Sequence, residues 1–291
     1  MSDVLLVDKP AGWTSFDVVA KIRGGIRKGY QAEGIKPTKR QLKVGHTGTL
    51  DPFATGLLVI LLGDACSRTN EFLKLDKVYE ATIELGKTSS TGDPEGEIKE
   101  VETLKDEKIE REHVEKILQQ FVGQIEQVPP VYSAIKIGGE RAYKLAREGK
   151  TVDMPTRTIT IYELELLDYS YPYVTFRAHV SSGTYIRTLA EDIGRALGTG
   201  AYCAALRRTQ IADMHVSEAR TVDEVLLDLR KAPTTPDPPP ASISQFSLIG
   251  GATAPAPPEK PSSESLLDEP EGSAILRKSS LADIQLNHDE H

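Results

Sequence analysis

Apolar and polar residues along the first part of the chain follow two spacings, one typical of strands and one typical of helices. The run LLVILL at 57–62 is apolar throughout, which predicts a buried strand. In VYEATIELG at 78–86 apolar and polar residues alternate, which predicts a strand with one exposed face. TSFDVVAKIR at 14–23 has its apolar residues on one helical face, behind a Thr-Ser pair that can cap the helix.

Later segments continue this mixture without a strict alternation of strand and helix. STGDPEGE at 90–97 predicts a turn through Asp93. The amphipathic segments at 112–124 and 181–198 predict helices. Three segments rich in β-branched and aromatic residues predict strands, at 158–167, 173–180 and 200–214. The mixture predicts an α+β fold, with a large mixed, mainly antiparallel sheet flanked by helices and loops.

The composition changes near Ala232. Residues 233–291 are rich in Pro, Ser and Ala, poor in aromatic residues and without sustained periodicity. Such a segment cannot bury enough apolar surface to offset the entropy lost when it becomes ordered. We therefore expect one folded domain at 1–232, followed by an acidic, Pro/Ser-rich disordered tail at 233–291.

The net charge of −8 is unevenly distributed. The predicted tail holds nine acidic and three basic residues, so residues 1–232 carry only −2. The segment from Lys21 to Lys43 holds eight basic residues and one acidic residue. Because a phosphate backbone responds to local rather than total charge, this segment favours an RNA or DNA partner. A solvated surface insertion is the alternative explanation.

Cysteine usage and hydropathy argue against several other classes of protein. Cys66 and Cys203 have no metal-binding spacing, and we interpret them as small buried apolar residues in a reducing compartment. No stretch approaches the roughly 20 apolar residues of a membrane span. The first residues lack the basic region and the cleavage site of a secretory signal. We therefore expect a cytoplasmic protein that requires neither a membrane nor a metal.

One aspartate is distinguished by its setting in GHTGTLDPFATG at 45–56. Asp51 is the single acidic residue of this segment, and Pro52 restricts it to an extended backbone. Arg187 falls in the first turn of a predicted helix, where a cation faces the positive end of the helix dipole. A carboxylate would compensate this, and Asp51 is the expected partner. The arginine would keep Asp51 ionised, and an ionised aspartate can serve as a nucleophile or base.

Aromatic and basic side chains suggest the substrate of this carboxylate. Tyr79, Tyr185 and His46 could supply flat faces or hydrogen bonds, although singly each is better explained as a core or loop residue. Together with one aspartate and a basic segment they predict a pocket for a nucleobase removed from its stack. The segment 128–150 interleaves tyrosines with basic residues, which suits an RNA loop or single strand. Its candidate RNA-binding residues are Lys136, Arg141, Lys144 and Arg147.

These residues resemble a known family. GHTGTLDPFATG is similar to the signature of the TruB family, the bacterial tRNA pseudouridine synthases that modify uridine 55 in the T loop. The resemblance covers roughly residues 3–230. It implies a pseudouridine synthase catalytic domain at 1–232, with a thumb-like RNA-binding insertion at about 127–151. The other segments that resemble family motifs are DKPAGWTS, DKVYEATIELGKTSSTGDPEG, PPVYSAIKIGGERAYKLAREG, GTYIRTLAEDIG and the LRR at 206–208.

The resemblance also implies roles for individual residues. Asp51 would be the catalytic nucleophile, Tyr79 would stack on the target base and help to move a proton as a second catalytic residue, and Arg187 would pair with Asp51. His46 would help to hold flipped-out nucleotides of the T loop. Tyr185 and Leu206 would line the pocket. Lys9 and Pro10, which belong to the first motif, would have a supporting role.

The implied reaction detaches uracil from C1′ of the ribose, rotates the base and rejoins it through C5. Because the substrate is only rearranged, one carboxylate suffices and no cofactor is expected. The implied partner is the T stem-loop of tRNA, with no metal, no membrane and no obligatory protein partner. Family members usually carry a small C-terminal RNA-binding domain, and none is evident after residue 232.

Three alternatives stay open at this point. A guide-RNA-dependent pseudouridine synthase of the archaeal and eukaryotic type shares the aspartate motif. A tRNA-binding or tRNA-folding module would have secondary or lost chemistry, although pure binding does not require an aspartate that faces an arginine. A glycosidase or phosphotransfer enzyme would need a second acid or metal ligands, and neither stands beside Asp51 in the sequence.

Overall fold

The computed structural model describes residues 3–101, 109–133 and 135–231. Strands and helices follow one another irregularly along these residues. The strands are β1 (Val4–Lys9), β2 (Val44–His46), β3 (Thr55–Leu62), β4 (Lys77–Leu85), β5 (Lys87–Ser89), β6 (Ile98–Glu100), β7 (Gly123–Gln127), β8 (Lys136–Ile137), β9 (Glu140–Arg141), β10 (Arg157–Ser170), β11 (Tyr173–Val180), β12 (Ala201–Ile211), β13 (Met214–His215) and β14 (Arg220–Thr221). The helices are α1 (Ser15–Ala32), α2 (Thr69–Leu73), α3 (Arg111–Gln119), α4 (Ala142–Arg147), α5 (Ile186–Ala196) and α6 (Val222–Lys231).

Ten of the described strands form one sheet. Its order is β14-β1-β3-β12-β4-β11-β10-β7, with β2 paired to β3 and β13 paired to β12. The pairs β1/β14 and β3/β12 are parallel, and the other ladders of this sheet are antiparallel. The strands β5/β6 and β8/β9 form two separate hairpins. The predicted α+β fold with a large mixed, mainly antiparallel sheet is therefore confirmed.

The strands on either side of β12 carry the two patterns seen in the sequence. β3 is buried from Gly56 to its end, as its continuous apolar run predicts. Gly56 has a φ of +101°, and a Cβ there would lie 2.3 Å from the carbonyl oxygen of Arg208 on β12. Glycine therefore permits the close approach of these two parallel strands. β4 alternates as predicted until Glu84, which is buried and accepts a hydrogen bond from the hydroxyl of Tyr202.

Helix α1 begins as predicted and extends further than predicted. Thr14 caps it: Thr14 Oγ1 accepts from the Asp17 N–H at 3.0 Å, and the Asp17 carboxylate accepts from the Thr14 N–H at 2.8 Å. The helix is 18 residues long, so the first half of the stretch 24–41 is helical rather than an inserted loop. Gly25 lets α6 pack closely on α1, because a Cβ there would lie 2.5 Å from Cδ2 of Leu226.

The sequence also predicted the structure of the thumb-like segment and the burial of the two cysteines. The thumb-like segment has the predicted strand, Gly-Gly turn and helix, as β8, β9 and α4. Cys203 is buried as expected, whereas Cys66 is only half-buried, and both are free thiols. The predicted tail, 233–291, lies outside the described residues. Within the part of the chain that is described, no helix is long and apolar enough to cross a membrane.

Candidate active site

Asp51 lies in the loop between β2 and β3, and hydrogen bonds on both sides of it hold this loop. Ser15, at the start of α1, donates from Oγ to the carbonyl of Leu50 at 3.1 Å and accepts from the Leu50 N–H at 2.8 Å. Beyond the aspartate, the Ala54 N–H donates to the Asp51 carbonyl at 3.1 Å. The capped first turn of α1 therefore fixes the residue that precedes Asp51.

Lys9 connects the first sequence motif to the same loop. Its side chain is fully buried, and Nζ donates to the carbonyls of Pro10 at 3.0 Å, Trp13 at 2.6 Å and Pro52 at 3.3 Å. Burial lowers the pKa of Lys9 from 10.5 to about 8, and the nearby Asp51 carboxylate opposes that change. These contacts supply a geometry for the supporting part that the resemblance implied for Lys9 and Pro10.

Arg187 contacts two carboxylates and two backbone carbonyls. Its Nε lies 3.0 Å from Oδ2 of Asp51, the partner expected from the sequence. Its Nη1 lies 3.0 Å from Oδ2 of Asp93 and donates to the carbonyl of Thr91 at 2.8 Å. Its Nη2 donates to the carbonyl of Tyr132 at 2.9 Å. Because the Arg187 side chain is only 6% exposed, these contacts define the orientation of its guanidinium.

Asp93 is a second acid near Asp51 that the sequence did not reveal. The turn predicted at 90–97 is present, but it buries the Asp93 side chain instead of presenting it to solvent. Oδ1 of Asp93 accepts from Thr91 Oγ1 at 2.6 Å and from the Glu95 N–H at 3.0 Å, while Oδ2 faces Arg187. Since both oxygens are occupied and buried, Asp93 is not placed to act on a substrate as the second acid of a glycosidase.

The surroundings of Asp51 affect its ionisation in opposing directions. The side chain is 34% exposed and lines a cleft. Burial raises the pKa of Asp51 above its ordinary value; Arg187 lowers that pKa, Asp93 raises it and Lys9 lowers it. From the sequence, Arg187 was the one group expected to affect this pKa. In the structure Arg187 only partly opposes the effect of burial, so the pKa of Asp51 is raised overall.

Gln127, at the end of β7, holds the start of α5. Its Oε1 accepts from the Tyr185 N–H at 2.8 Å, and its Nε2 donates to the Tyr185 carbonyl at 3.1 Å. Gln127 is buried, so the two bonds are shielded from water. They fix the backbone just before Arg187. No sequence pattern singled out Gln127.

A cleft of about 1000 Å³ opens over these groups. A cavity of this size accommodates a nucleoside. Its walls come from α1, the Asp51 loop, β4, the turn that holds Asp93, and the start of α5. The cleft brings together all the pocket residues expected from the sequence: His46, Asp51, Tyr79, Tyr185, Arg187 and Leu206.

Arg208, the last residue of the LRR segment at 206–208, is a buried cation in the lining of this cleft. Its Nε donates to the carbonyl of Leu57 at 2.7 Å, and its Nη2 donates to the carbonyl of Gly48 at 3.1 Å. Burial lowers the pKa of His46, and the charge of Arg208 lowers it further, against an opposing contribution from the Gly48 backbone. His46 is therefore held neutral at physiological pH, as a residue that stacks or forms hydrogen bonds.

The basic residues of the thumb-like segment lie on β8, β9 and α4. The Lys144 side chain is 60% exposed, and its Nζ is 3.8 Å from Oε1 of Glu140. Such an exposed pair is weak and does not prevent the ammonium from contacting a phosphate. The RNA-binding role stays a prediction for the four residues: Lys136, Arg141, Lys144 and Arg147.

Metal and cofactor sites were not expected from the sequence. Among the residues that the structure describes, no three His, Cys, Asp or Glu side chains are grouped as metal ligands. Independence from metals and cofactors stays a prediction that activity measurements must test.

Family comparison assigns these residues to a known group. The family model described as TruB family pseudouridylate synthase (N terminal domain) matches residues 36–186. The chain belongs to the TruB family. The match contains Asp51, Tyr79 and Asp93, so these three residues of the cleft lie within the part of the chain that matches the family's N-terminal domain. The enzyme class expected from the sequence, a pseudouridine synthase, is confirmed.

Curated relatives agree with this membership. A protein of Phocaeicola vulgatus named tRNA pseudouridine synthase B is 47% identical over 221 residues, which is 76% of this chain and 90% of that protein. A protein of the same name from Parabacteroides distasonis is 44% identical over 223 residues, which is 77% of this chain and 91% of its own length. One from Burkholderia mallei is also 44% identical, over 77% of this chain and 68% of that protein.

Solved structures share the fold of this TruB family member. A chain of a Cbf5-Nop10-Gar1 complex is 29% identical, with a TM-score of 0.56, over 77% of this chain and 53% of that chain. A chain of an H/ACA RNP bound to a substrate RNA containing 2′-deoxyuridine is 27% identical, with a TM-score of 0.53, over 77% and 52%. The protein spans about half the length of these two chains.

A second family model concerns the C-terminal part. It is described as the tRNA pseudouridylate synthase B C-terminal domain and matches residues 187–235. In this chain those residues include α5, β12 and α6. β12 is a central strand of the sheet, and α6 packs on α1 and β1. The matched residues thus contribute a strand to the same sheet as β2 and β3, the strands on either side of the Asp51 loop. That no separate RNA-binding domain follows residue 232 stays a prediction.

Proposed function

We propose that this enzyme converts uridine 55 in the T loop of tRNA to pseudouridine. The observation that carries the proposal is the placement of Asp51, whose carboxylate lines the cleft and lies 3.0 Å from Nε of Arg187. The relatives named tRNA pseudouridine synthase B support tRNA as the substrate. We propose a cytoplasmic site of action, which the two free cysteines support.

The substrate uridine must leave its stack before Asp51 can reach it, because a stacked nucleotide has its glycosidic bond covered by its neighbours. The cleft is large enough to hold the extruded nucleotide. Tyr79 offers a ring face for the uracil, and Tyr185 and Leu206 supply further apolar walls. Neutral His46 holds nucleotides displaced from the loop without adding a charge.

The chemistry then follows from one carboxylate. Asp51 acts as the nucleophile at C1′: a carboxylate oxygen bonds to C1′ while the bond between C1′ and N1 breaks, and the bonding electron pair leaves with the uracil. The base rotates within the cleft, C5 attacks C1′, and the bond between C1′ and the carboxylate breaks, which restores Asp51. N1 gains a proton and C5 loses one, so the product is an isomer of the substrate. Arg187 keeps the carboxylate oriented throughout, and Tyr79 retains the detached base.

Positive charge outside the cleft positions the RNA. We propose that Lys136, Arg141, Lys144 and Arg147 contact phosphates of the T stem, because basic residues clustered on one short hairpin and the helix that follows it suit a phosphate backbone. Binding through such contacts weakens as the salt concentration rises. No metal, cofactor or protein partner is required by this scheme.

The two RNA-related alternatives are less well supported. A pure tRNA-binding module does not need an aspartate held against a buried arginine inside a cleft. A guide-RNA-dependent enzyme would be expected to resemble the chains from the Cbf5-Nop10-Gar1 and H/ACA RNP structures most strongly, yet those are 29% and 27% identical, against 44% to 47% for the relatives named tRNA pseudouridine synthase B.

The proposal is tested with an unmodified tRNA transcript that carries tritium at C5 of its uridines. Pseudouridine formation releases the hydrogen of C5, so the enzyme should release one equivalent of tritium per tRNA. A transcript with cytidine at position 55 should release none, and one with cytidine elsewhere in the T loop serves as the control. Release that persists without uridine 55 would contradict the proposed site. Tight binding without release would favour a binding module.

A further inference from the structure

Phe16 is an exposed aromatic residue in the wall of the Asp51 cleft. It follows Ser15 in the first turn of α1 and lines the cleft together with Asp51. At 62% exposure it is the most exposed large apolar side chain of the described residues. Single exposed apolar residues are common on proteins and need no explanation. The position of this one, in a cleft wall beside a reactive carboxylate, does call for one.

The backbone around Phe16 is fixed on both sides. Thr14 and Asp17 form the capping box of α1, and Ser15 binds both backbone groups of Leu50, the neighbour of Asp51. Residues Val18 and Val19 point into the core, so the exposed face of this turn is the one that carries Phe16. The ring can rotate about its own bonds, but the residue cannot move away from the cleft without breaking contacts to the Asp51 loop.

The partner of such a ring must be flat and apolar. In RNA the phosphate and the ribose are polar, and only the nucleobases present a flat face. Removing a uridine from its stack uncovers the faces of the adjoining bases, and an aromatic side chain at the mouth of the cleft can cover one of them. We propose that Phe16 stacks on a nucleobase adjoining the target uridine. Phe16 is thus a substrate-contact residue, and the inference rests on the proposed function.

Kinetics of tritium release from the tRNA transcript test this inference. Loss of one base–aromatic stack should raise KM of Phe16→Ala by roughly 5-fold to 150-fold, with kcat nearly unchanged. Phe16→Trp keeps a flat ring and should retain the wild-type KM. Tyr173→Ala is the matched control, because Tyr173 is an exposed aromatic (47%) on β11, away from the residues that line the cleft. It should leave both constants unchanged.

A second measurement identifies the stacked base and separates stacking from a structural effect. T stem-loop RNAs with an abasic site on either side of the target uridine are bound to wild type and Phe16→Ala. At the position of the stacked base, the abasic site should weaken binding by the wild type. On that RNA the wild type and Phe16→Ala should bind with equal affinity, because the stacking contact is already lost from the RNA side.

Two results would overturn the inference while leaving the proposed function intact. One is a KM for Phe16→Ala within about twofold of wild type on a transcript that the wild type modifies normally. The other is an equal penalty for Phe16→Ala on both abasic RNAs and on the complete RNA. Failure of the wild type to release tritium would instead contradict the proposed function, and the inference with it.

Discussion

Asp51 and Asp93 bind the same guanidinium: Nε of Arg187 lies 3.0 Å from Oδ2 of Asp51, and Nη1 lies 3.0 Å from Oδ2 of Asp93. The two acids differ in their surroundings. Asp51 faces the cleft, whereas both oxygens of Asp93 are occupied by protein groups. Asp93 therefore fixes the arginine and adds negative charge near Asp51, while the Asp51 carboxylate, which is 34% exposed, stays open to the cleft.

Replacing Asp93 by Asn should move the pH dependence of activity. The Asp93 charge raises the pKa of Asp51, so its removal lowers that pKa. If the reaction requires ionised Asp51, the acid limb of the pH profile of kcat/KM should move to lower pH. Glu165→Gln is the matched control, because it also removes one negative charge but from the exposed contact with Arg177. Acid limbs that coincide in both variants and wild type would contradict this coupling.

Replacing Asp51 by Asn should stabilise the folded protein at neutral pH. The folded state raises the pKa of Asp51, so folding favours the protonated form and the charged form costs stability. That cost is present above the folded pKa and disappears as the pH falls below the unfolded pKa. The urea midpoint of Asp51→Asn should therefore exceed that of the wild type by the largest amount at about pH 7, and the two midpoints should coincide near about pH 3. An equal difference at both pH values would be inconsistent with this assignment.

Gln127→Ala should impair both folding and catalysis. The substitution leaves the buried N–H and carbonyl of Tyr185 without their partner, which should lower the free energy of unfolding by roughly 1–3 kcal/mol. It also loosens the start of α5, so kcat should fall because Arg187 is no longer held against Asp51. Gln119→Ala is a suitable control, since Gln119 also binds a backbone carbonyl, that of Leu164, but outside the cleft lining. Equal kcat losses in the two variants would argue against a positioning role for Gln127.

Lys9 should make stability depend on pH in alkaline solution. Its pKa falls from 10.5 in the unfolded chain to about 8 in the folded protein, so the unfolded state binds more protons between these values. The stability that wild type has relative to Lys9→Met should therefore rise as the pH increases from about 8 to about 10. Urea unfolding at several pH values measures this difference. A flat difference across the range would show that Lys9 is not buried as an amine.

Much of the sheet could be predicted from the sequence because its strands have local signatures. The continuous apolar run of β3 and the alternation of β4 report how each strand is buried, whatever lies beside it. The contact between Asp51 and Arg187 was also predictable, since a lone carboxylate and a cation at a helix N-terminus each lack a local partner. Their opposite charges therefore predicted a contact between two residues that are far apart in the chain.

Other parts of the site depend on tertiary contacts that leave no local signature. Asp93 stands in an ordinary Asp-Pro-x-Gly turn, and only the packing of that turn on α5 buries it. Gln127 and Arg208 are polar residues in strands, where solvent exposure is the usual expectation. In the structure they bind backbone groups of distant segments. Helix α1 extends beyond the predicted segment 14–23, because the packing of α6 on α1 at Gly25 stabilises residues that have no clear apolar periodicity of their own.

The most direct test of the account is pseudouridine formation on an unmodified tRNA transcript by wild type and Asp51→Asn, without added metal or cofactor. The wild type should convert the T-loop uridine, and the variant should be slower by about 10⁴-fold or more while binding the transcript with similar affinity. Conversion by Asp51→Asn at a rate near that of the wild type would contradict the assignment of Asp51 as the catalytic nucleophile.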